Sequence, residues 1–288
     1  VTIGSGRYRA VIDLHGAELK SLVDTSSAHE YIWSGDASWW SGTAPILFPV
    51  IGGLHKGTYR FKGREYQLPS HGFARQSAFR LLERGSDYAV FDLMATDTLK
   101  KQYPFSFHLL VTFHMDYCGI SVKYEVRNIG SSRLYFSIGS HPAFRLPFAG
   151  GPLEHYYIEF AQPERDERYL FLDGCMSHDT EPVFSSSRHI NLSRTLFDRG
   201  PVILANTASK TVRVRKSRSR AAITISFDAP HLAVWSKPKG APFLCIEPWH
   251  GLPDPVGFTG SIEDKPGIIS LDFRDSFTSS YRIEITDH

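Results

Sequence analysis

The 288 residues are 42% hydrophobic and 22% charged, the balance of a folded globular chain rather than a disordered or fibrous one. Formal net charge is +2, from 32 Lys and Arg against 30 Asp and Glu, which supplies no electrostatic footprint for nucleic acid or an acidic membrane. The length bounds the chain to one large domain or two small ones, either able to bury a core without staples.

In chain order, residues 1–6 lack the basic region and apolar stretch of a signal peptide, and no later apolar run approaches the roughly 20 residues of a membrane span. The expected compartment is the cytoplasm. From there on the dominant signal is alternation with period two, which marks half-buried strands. It predicts strands at 8–14, 89–93 and 105–115, the last with a hairpin partner at 120–126 after the turn-rich link Asp116-Tyr117-Cys118-Gly119. Further strands are predicted at 134–138, 156–160, 211–215, 222–227, 232–235, 243–246, 268–273 and 281–285. Short helices at 37–42 and 192–197 are the only helical candidates. The expected class is therefore all-β, a sandwich, barrel or related antiparallel stack. No fixed-period repeat points to a propeller or solenoid, and no Pro/Gly/Ser linker divides the chain, so one domain over 1–288 is expected. The basic run 210–220 reads as two solvated strand faces joined by a turn, because no aromatic residues are interleaved to stack on bases.

Cys118, Cys175 and Cys245 are odd in number and widely spaced, so reduced thiols are expected, with neither a disulfide framework nor a thiolate zinc site. There is no GxSxG elbow and no phosphate-binding glycine loop, so neither a serine nucleophile nor a nucleotide cofactor is supported.

Three segments place titratable residues where a β core favours apolar ones. The first is Ser70-His71-Gly72-Phe73-Ala74-Arg75. The second is Ser140-His141-Pro142-Ala143-Phe144-Arg145, where Pro142 biases His141 to an extended backbone. In the third, Phe243-Leu244-Cys245-Ile246 runs straight into Glu247, and Pro248 is expected to interrupt the strand. A carboxylate ending a buried strand is costly unless it is paired or catalytic. Two histidines and a desolvated glutamate together suggest general acid–base chemistry near neutral pH. That chemistry needs no metal, although the three could in principle form a two-His-one-carboxylate set.

The order Leu47-Phe48-Pro49, His71-Gly72-Phe73-Ala74-Arg75, Ser140-His141-Pro142-Ala143-Phe144 and Cys245-Ile246-Glu247-Pro248-Trp249 resembles the aldose 1-epimerase (galactose mutarotase-like) family, closest to its LacX-like branch. Gly16–Leu22, Tyr31-Ile32-Trp33, Tyr103-Pro104-Phe105 and Trp235-Ser236-Lys237-Pro238 carry the resemblance over about residues 8–285. It implies a large twisted antiparallel β-sandwich, the supersandwich, and a cofactor-free interconversion of the α and β anomers of a free aldose. Carried over by position, Glu247 is the general base at the anomeric hydroxyl, and His141 is the general acid at the ring oxygen. His71 holds a sugar hydroxyl or the ring oxygen, and Arg75 matches a position near which relatives acting on hexose 6-phosphates hold the phosphate. Trp249 follows Glu247 by two and is expected on the same side; Phe73, Phe144 and Trp40 are further candidates to stack on a sugar.

Two departures concern substrate contacts. Relatives commonly carry an arginine after the Leu-Phe-Pro segment, where this chain has Gly52-Gly53; Lys56 and Arg60 are nearby. A substrate-binding aspartate of relatives aligns with Gly200, leaving Asp198 as the candidate. The reading is a mutarotase acting on a small sugar, with no nucleic-acid or membrane partner and an oligomeric state the residues do not report. The alternatives are a hexose-6-phosphate 1-epimerase using Arg75, Arg145, Lys237 and Lys239, or a non-catalytic carbohydrate-binding protein.

Overall fold

A computed structural model describes residues 1–286; the single-domain expectation also covers Asp287 and His288, which lie outside the described residues. Two large antiparallel sheets carry the architecture. The first has nine strands, in the order His189–Asn191, Tyr156–Phe160, Thr211–Lys216, Ala222–Phe227, Ser276–Thr286, Gly119–Asn128, Phe107–Asp116, Tyr88–Met94 and Arg80–Arg84. Its central hairpin pairs Phe107 with Asn128 through to Asp116 with Gly119. Burial alternates strictly along Phe107–Asp116, so one face enters the core and the other meets solvent.

The second sheet orders Cys175–Glu181, Arg168–Leu172, Val202–Leu204, His231–Trp235, Phe243–His250, Ile138–Ser140 and Ile46–Leu47, with Ala143–Arg145 also pairing to Phe243–His250. Its even-numbered residues Leu232, Val234, Leu244 and Ile246 pack into one core with Val111, Val122 and Ile223 of the first sheet. The odd-numbered residues point the other way. Phe243 and Cys245 join Trp33 and Ala143, while Ala233 and Trp249 join Leu47, Ile51 and Leu252. Phe243–His250 is thus covered on both faces, which is why its sequence reads as an apolar run rather than an alternation.

The strands predicted at 156–160 and 222–227 are Tyr156–Phe160 and Ala222–Phe227. Three expectations change. The strand predicted at 134–138 is two strands, because Leu134–Phe136 pairs with Ile269–Leu271 while Ile138–Ser140 joins the second sheet. Neither 37–42 nor 192–197 is helical: turns occupy 37–39 and 194–199, and at the first the Asp36 carbonyl accepts the N–H groups of both Trp39 and Trp40 and the chain does not continue as helix. The one α-helix among the described residues is Asp97–Gln102, whose N-cap Thr96 accepts from the Leu99 N–H; six residues are too few to show a helical period.

Pro248 does not interrupt its strand, which continues to His250 with Leu232 opposite Pro248. N–H groups two apart in a strand point the same way, and that of Ile246 is directed at the Pro142 carbonyl. Pro248 therefore faces the break between Ile138–Ser140 and Ala143–Arg145, where no ladder bond is lost. The basic run forms a hairpin, with Arg213 and Arg215 on its outer face beside Glu159. No helix among the described residues is long and apolar enough to cross a membrane.

Candidate active site

Glu247 lies mid-strand on the outer face of the second sheet and is 1% exposed. Its strand partner is Ala233, whose methyl leaves the space beside the carboxyl open. Burial raises the Glu247 carboxyl well above the usual carboxylate range; the nearby Trp249 indole pulls the other way without reaching hydrogen-bond geometry.

His141 occupies the link between Ile138–Ser140 and Ala143–Arg145, where the local backbone is tied by its own N–H to the Pro45 carbonyl. That link projects the imidazole over the 243–250 strand, with Nε2 at 3.2 Å from Glu247 Oε2. Burial, together with the neighbouring His71 and Arg75, pushes His141 well below the usual histidine range. Its Nδ1 and the Glu247 Oε2 make no hydrogen bond with the described residues.

His71 arrives from a tight turn zipped onto residues 48–52. Both His71 and Gly72 have positive φ, 65° and 71°, and a Cβ on Gly72 would run into the Phe48 carbonyl, so only glycine fits there. The Gly52 N–H donates to His71 Nδ1 at 3.1 Å, and the His71 N–H donates to the Gly52 carbonyl at 2.9 Å. This fixes the neutral tautomer with the proton on Nε2. Burial, aided by Arg75, holds His71 at about 3, so it remains a neutral donor over any working pH. Arg75 anchors one terminal nitrogen on the Ser70 carbonyl at 3.0 Å, and its Nε is buried without a hydrogen-bond partner.

These side chains converge on one cleft of about 230 Å³ that His71, Arg75, His141, Glu247 and Trp249 all line. Trp40, one of the stacking candidates, and Trp235, which the sequence marked only through the resemblance, form its aromatic wall, and Phe171, Gly174 and Pro201 close it from the 168–181 hairpin and the segment after residue 199. None of those last three carries reactive chemistry, so nothing in the sequence marked them. Phe73 and Phe144 are core residues, Phe73 packing on Phe48 and Tyr103.

Asp198 is exposed on a turn and does not line the cleft, so the candidate taken from the offset alignment falls away on position alone. Lys56 and Arg60 line a separate groove with Asp254 and Lys265. Arg145 and Lys237 line two others, and Lys239 lies off the cleft. Gly53 explains the missing arginine. Its N–H donates to the Gly174 carbonyl at 2.9 Å, and a Cβ there would meet that same carbonyl. The 168–181 hairpin thus occupies the space a longer side chain would need.

His141, Cys245 and Glu247 bring one ligand atom each within 4.8 Å of one another. Coordination would need the Cys245 thiol deprotonated, and burial beside Glu247 raises it well above the usual thiol range. The set fits acid–base chemistry better than a metal.

An all-β double sheet thus carries a glutamate, two histidines and tryptophans together in one outer cleft, a site equipped for acid–base chemistry. The aldose 1-epimerase family model matches residues 1–267, and the chain belongs to that family, as a LacX-like member. Protein LacX (chromosomal) of Lactococcus lactis subsp. lactis is 29% identical over 281 residues, 94% of either chain. Among solved structures, a galactose mutarotase-like protein from Lactobacillus casei ATCC 334 superposes with a TM-score of 0.93 at 30% identity, over 99% of both chains. A galactose mutarotase related enzyme from Lactobacillus acidophilus gives 0.93 at 27%, over 100% of this chain and 97% of that one.

Proposed function

We propose that this protein is a mutarotase that interconverts the α and β anomers of a free hexose by general acid–base ring opening, and that the chain acts as one domain with a continuous core from Ile3 to Ile285. The observation that carries the reading is the Glu247–His141 pair, 3.2 Å apart in an open cleft. The anomeric and ring oxygens of a sugar are bonded to the same carbon, so their base and acid must be close neighbours.

As carboxylate, Glu247 takes the proton of the anomeric hydroxyl. The bond from C1 to the ring oxygen breaks, its electron pair stays on that oxygen, and imidazolium His141 delivers a proton there. The open-chain aldehyde rotates about C1–C2, and the reverse transfers close the other anomer. Carboxylate with imidazolium holds the same single proton as carboxylic acid with imidazole, so one transfer between the two side chains readies the site without net charge. Proton transfer of this kind contributes roughly 10²–10⁴-fold. His71 offers its Nε2 proton to a substrate oxygen, and Arg75 offers its unpartnered Nε.

That Nε also favours a second reading, a hexose-6-phosphate 1-epimerase, although Arg75 is the only cation of the proposed cluster that lines the cleft. The test is anomer exchange of fresh α-glucose, α-galactose and glucose 6-phosphate by polarimetry or NMR. Acceleration of a free hexose that vanishes in Glu247→Gln and drops in His141→Asn supports the proposal. Acceleration of the phosphorylated sugar alone, lost in Arg75→Ala, replaces it with the second reading. Sugar binding without acceleration leaves a carbohydrate-binding protein.

A further inference from the structure

The ring of Trp40 lies on that of His141, with centroids 4.8 Å apart and planes 28° from parallel. Trp235 and His71 stand nearly perpendicular to the same imidazole, at 5.8 and 5.6 Å. Trp40 is held in place from several sides. Its N–H donates to the Asp36 carbonyl, its carbonyl accepts the Trp33 indole N–H at 2.8 Å, and its ring stacks on Phe243 and meets the edge of Trp235. The indole face that looks into the cleft is thereby given to the imidazole rather than left for a sugar.

We propose that Trp40 is a positioning residue whose π face stabilises the imidazolium form of His141, and so favours the charged pair with Glu247 that ring opening requires. The inference rests on the mutarotase reading for its catalytic consequence, but not for its physical content. An indole face attracts a cation within about 6 Å of its centre, most strongly where water is excluded. His141 is 8% exposed, and the groups facing it are few. Glu247 and Cys245 come from the strand below, His71 and Arg75 from the 70–75 turn, and Trp40 and Trp235 from the walls. Glu247 is the one group there that can carry the compensating negative charge. His71 and Arg75 oppose a proton on His141, its own backbone favours one, and the stacked face of Trp40 adds to that second side.

The test compares the wild type with Trp40→Leu, which stays apolar and loses the π face, and Trp40→Phe, which keeps a weaker face. Two readouts are used: kcat and KM for anomer exchange, and the ¹⁵N shifts of the His141 ring at neutral pH. The expected result is a kcat about five- to thirty-fold lower in Trp40→Leu at nearly constant KM, with a smaller fall in Trp40→Phe. The ¹⁵N shifts, which burial already sets toward the neutral pattern in the wild type, should move further that way in the same order. A rise in KM at constant kcat would show a sugar-stacking residue and overturn the proposal, as would ¹⁵N shifts that do not differ between wild type and Trp40→Leu. Thermal unfolding of the variants separates either result from a folding defect. If the wild type accelerates no sugar while the ¹⁵N difference persists, the mutarotase reading fails and the Trp40–His141 coupling stands.

Discussion

Two buried ionisable pairs of this protein are built in opposite ways. Lys265 and Asp254, 1% and 3% exposed at the side chain, meet at 2.5 Å, and the second Asp254 oxygen accepts the His55 N–H at 2.9 Å. The Asp254 backbone joins in, its N–H donating to Gly53 and its carbonyl accepting from Met176. Glu247 is as deeply buried and His141 somewhat less so, and they stand 3.2 Å apart with Oε2 and Nδ1 unpartnered. Both pairs carry the cost of desolvation. The first offsets it with hydrogen bonds and locks the loop that holds Gly52 and Gly53. The second leaves two buried polar atoms without partners in residues that line a cleft, which a structural pair has no reason to do.

The largest expected effect breaks the second pair chemically. Glu247→Gln removes the proposed base and should lower kcat about 10²–10⁴-fold in an anomer-exchange assay. The same variant should be no less stable than the wild type at pH 8 by denaturant titration. Burial raises the folded carboxyl above its unfolded value, so the stabilising proton is fully in place below the unfolded pKa and is lost as pH rises through the folded one. A clear loss of stability would mean that Glu247 holds the fold together, as Asp254 does.

Breaking the first pair should do the reverse. Lys265→Met leaves Asp254 charged and uncompensated, at an expected cost of about 3–5 kcal/mol in unfolding free energy. Lys265→Met/Asp254→Leu should recover much of that cost. Full stability in the single variant would remove the contrast between the pairs.

A subtler effect appears in the pH profile. The active pair holds one proton, and burial disfavours both adding a second at His141 and removing the last at Glu247. The acid limb of kcat/KM should therefore fall below the ordinary histidine value of about 6.5. A limb at or above that value would argue that His141 titrates as an exposed imidazole. The smallest effect is expected from Asp198→Ala, which should leave anomer exchange within about twofold, as surface substitutions away from a site do. A larger loss would return Asp198 to the binding site.

Much of the fold was legible where one face of a strand meets solvent. Tyr156–Phe160 alternates cleanly and was found with its bounds, as was Ala222–Phe227, where polar Thr224 and Ser226 alternate with apolar neighbours although the strand is almost wholly buried. The fully exposed edge strand Arg80–Arg84 and the irregular hairpin of Arg168–Leu172 with Cys175–Glu181 were missed, because neither presents a regular inside and outside. At the site, His71, His141 and Glu247 stood out because a polar residue in an apolar context is informative by itself. Phe171, Gly174 and Pro201 gave no such signal. Arg145, Lys237 and Asp198 drew attention by sequence proximity, which a strand undoes by sending neighbouring residues to opposite faces and ends.

The amino-acid sequence alone determined that the chain is all-β and nearly neutral, and it singled out two histidines and a glutamate after an apolar run as candidates for acid–base chemistry, since these follow from residue type and local period. Only the tertiary structure decided which groups meet. The cleft lies on the outer face of the second sheet rather than between the sheets, Gly53 is walled off by the 168–181 hairpin, and Trp40 lies on His141. These contacts join residues far apart in the chain, and their geometry comes from how covered sheets and loops pack, which no local pattern encodes.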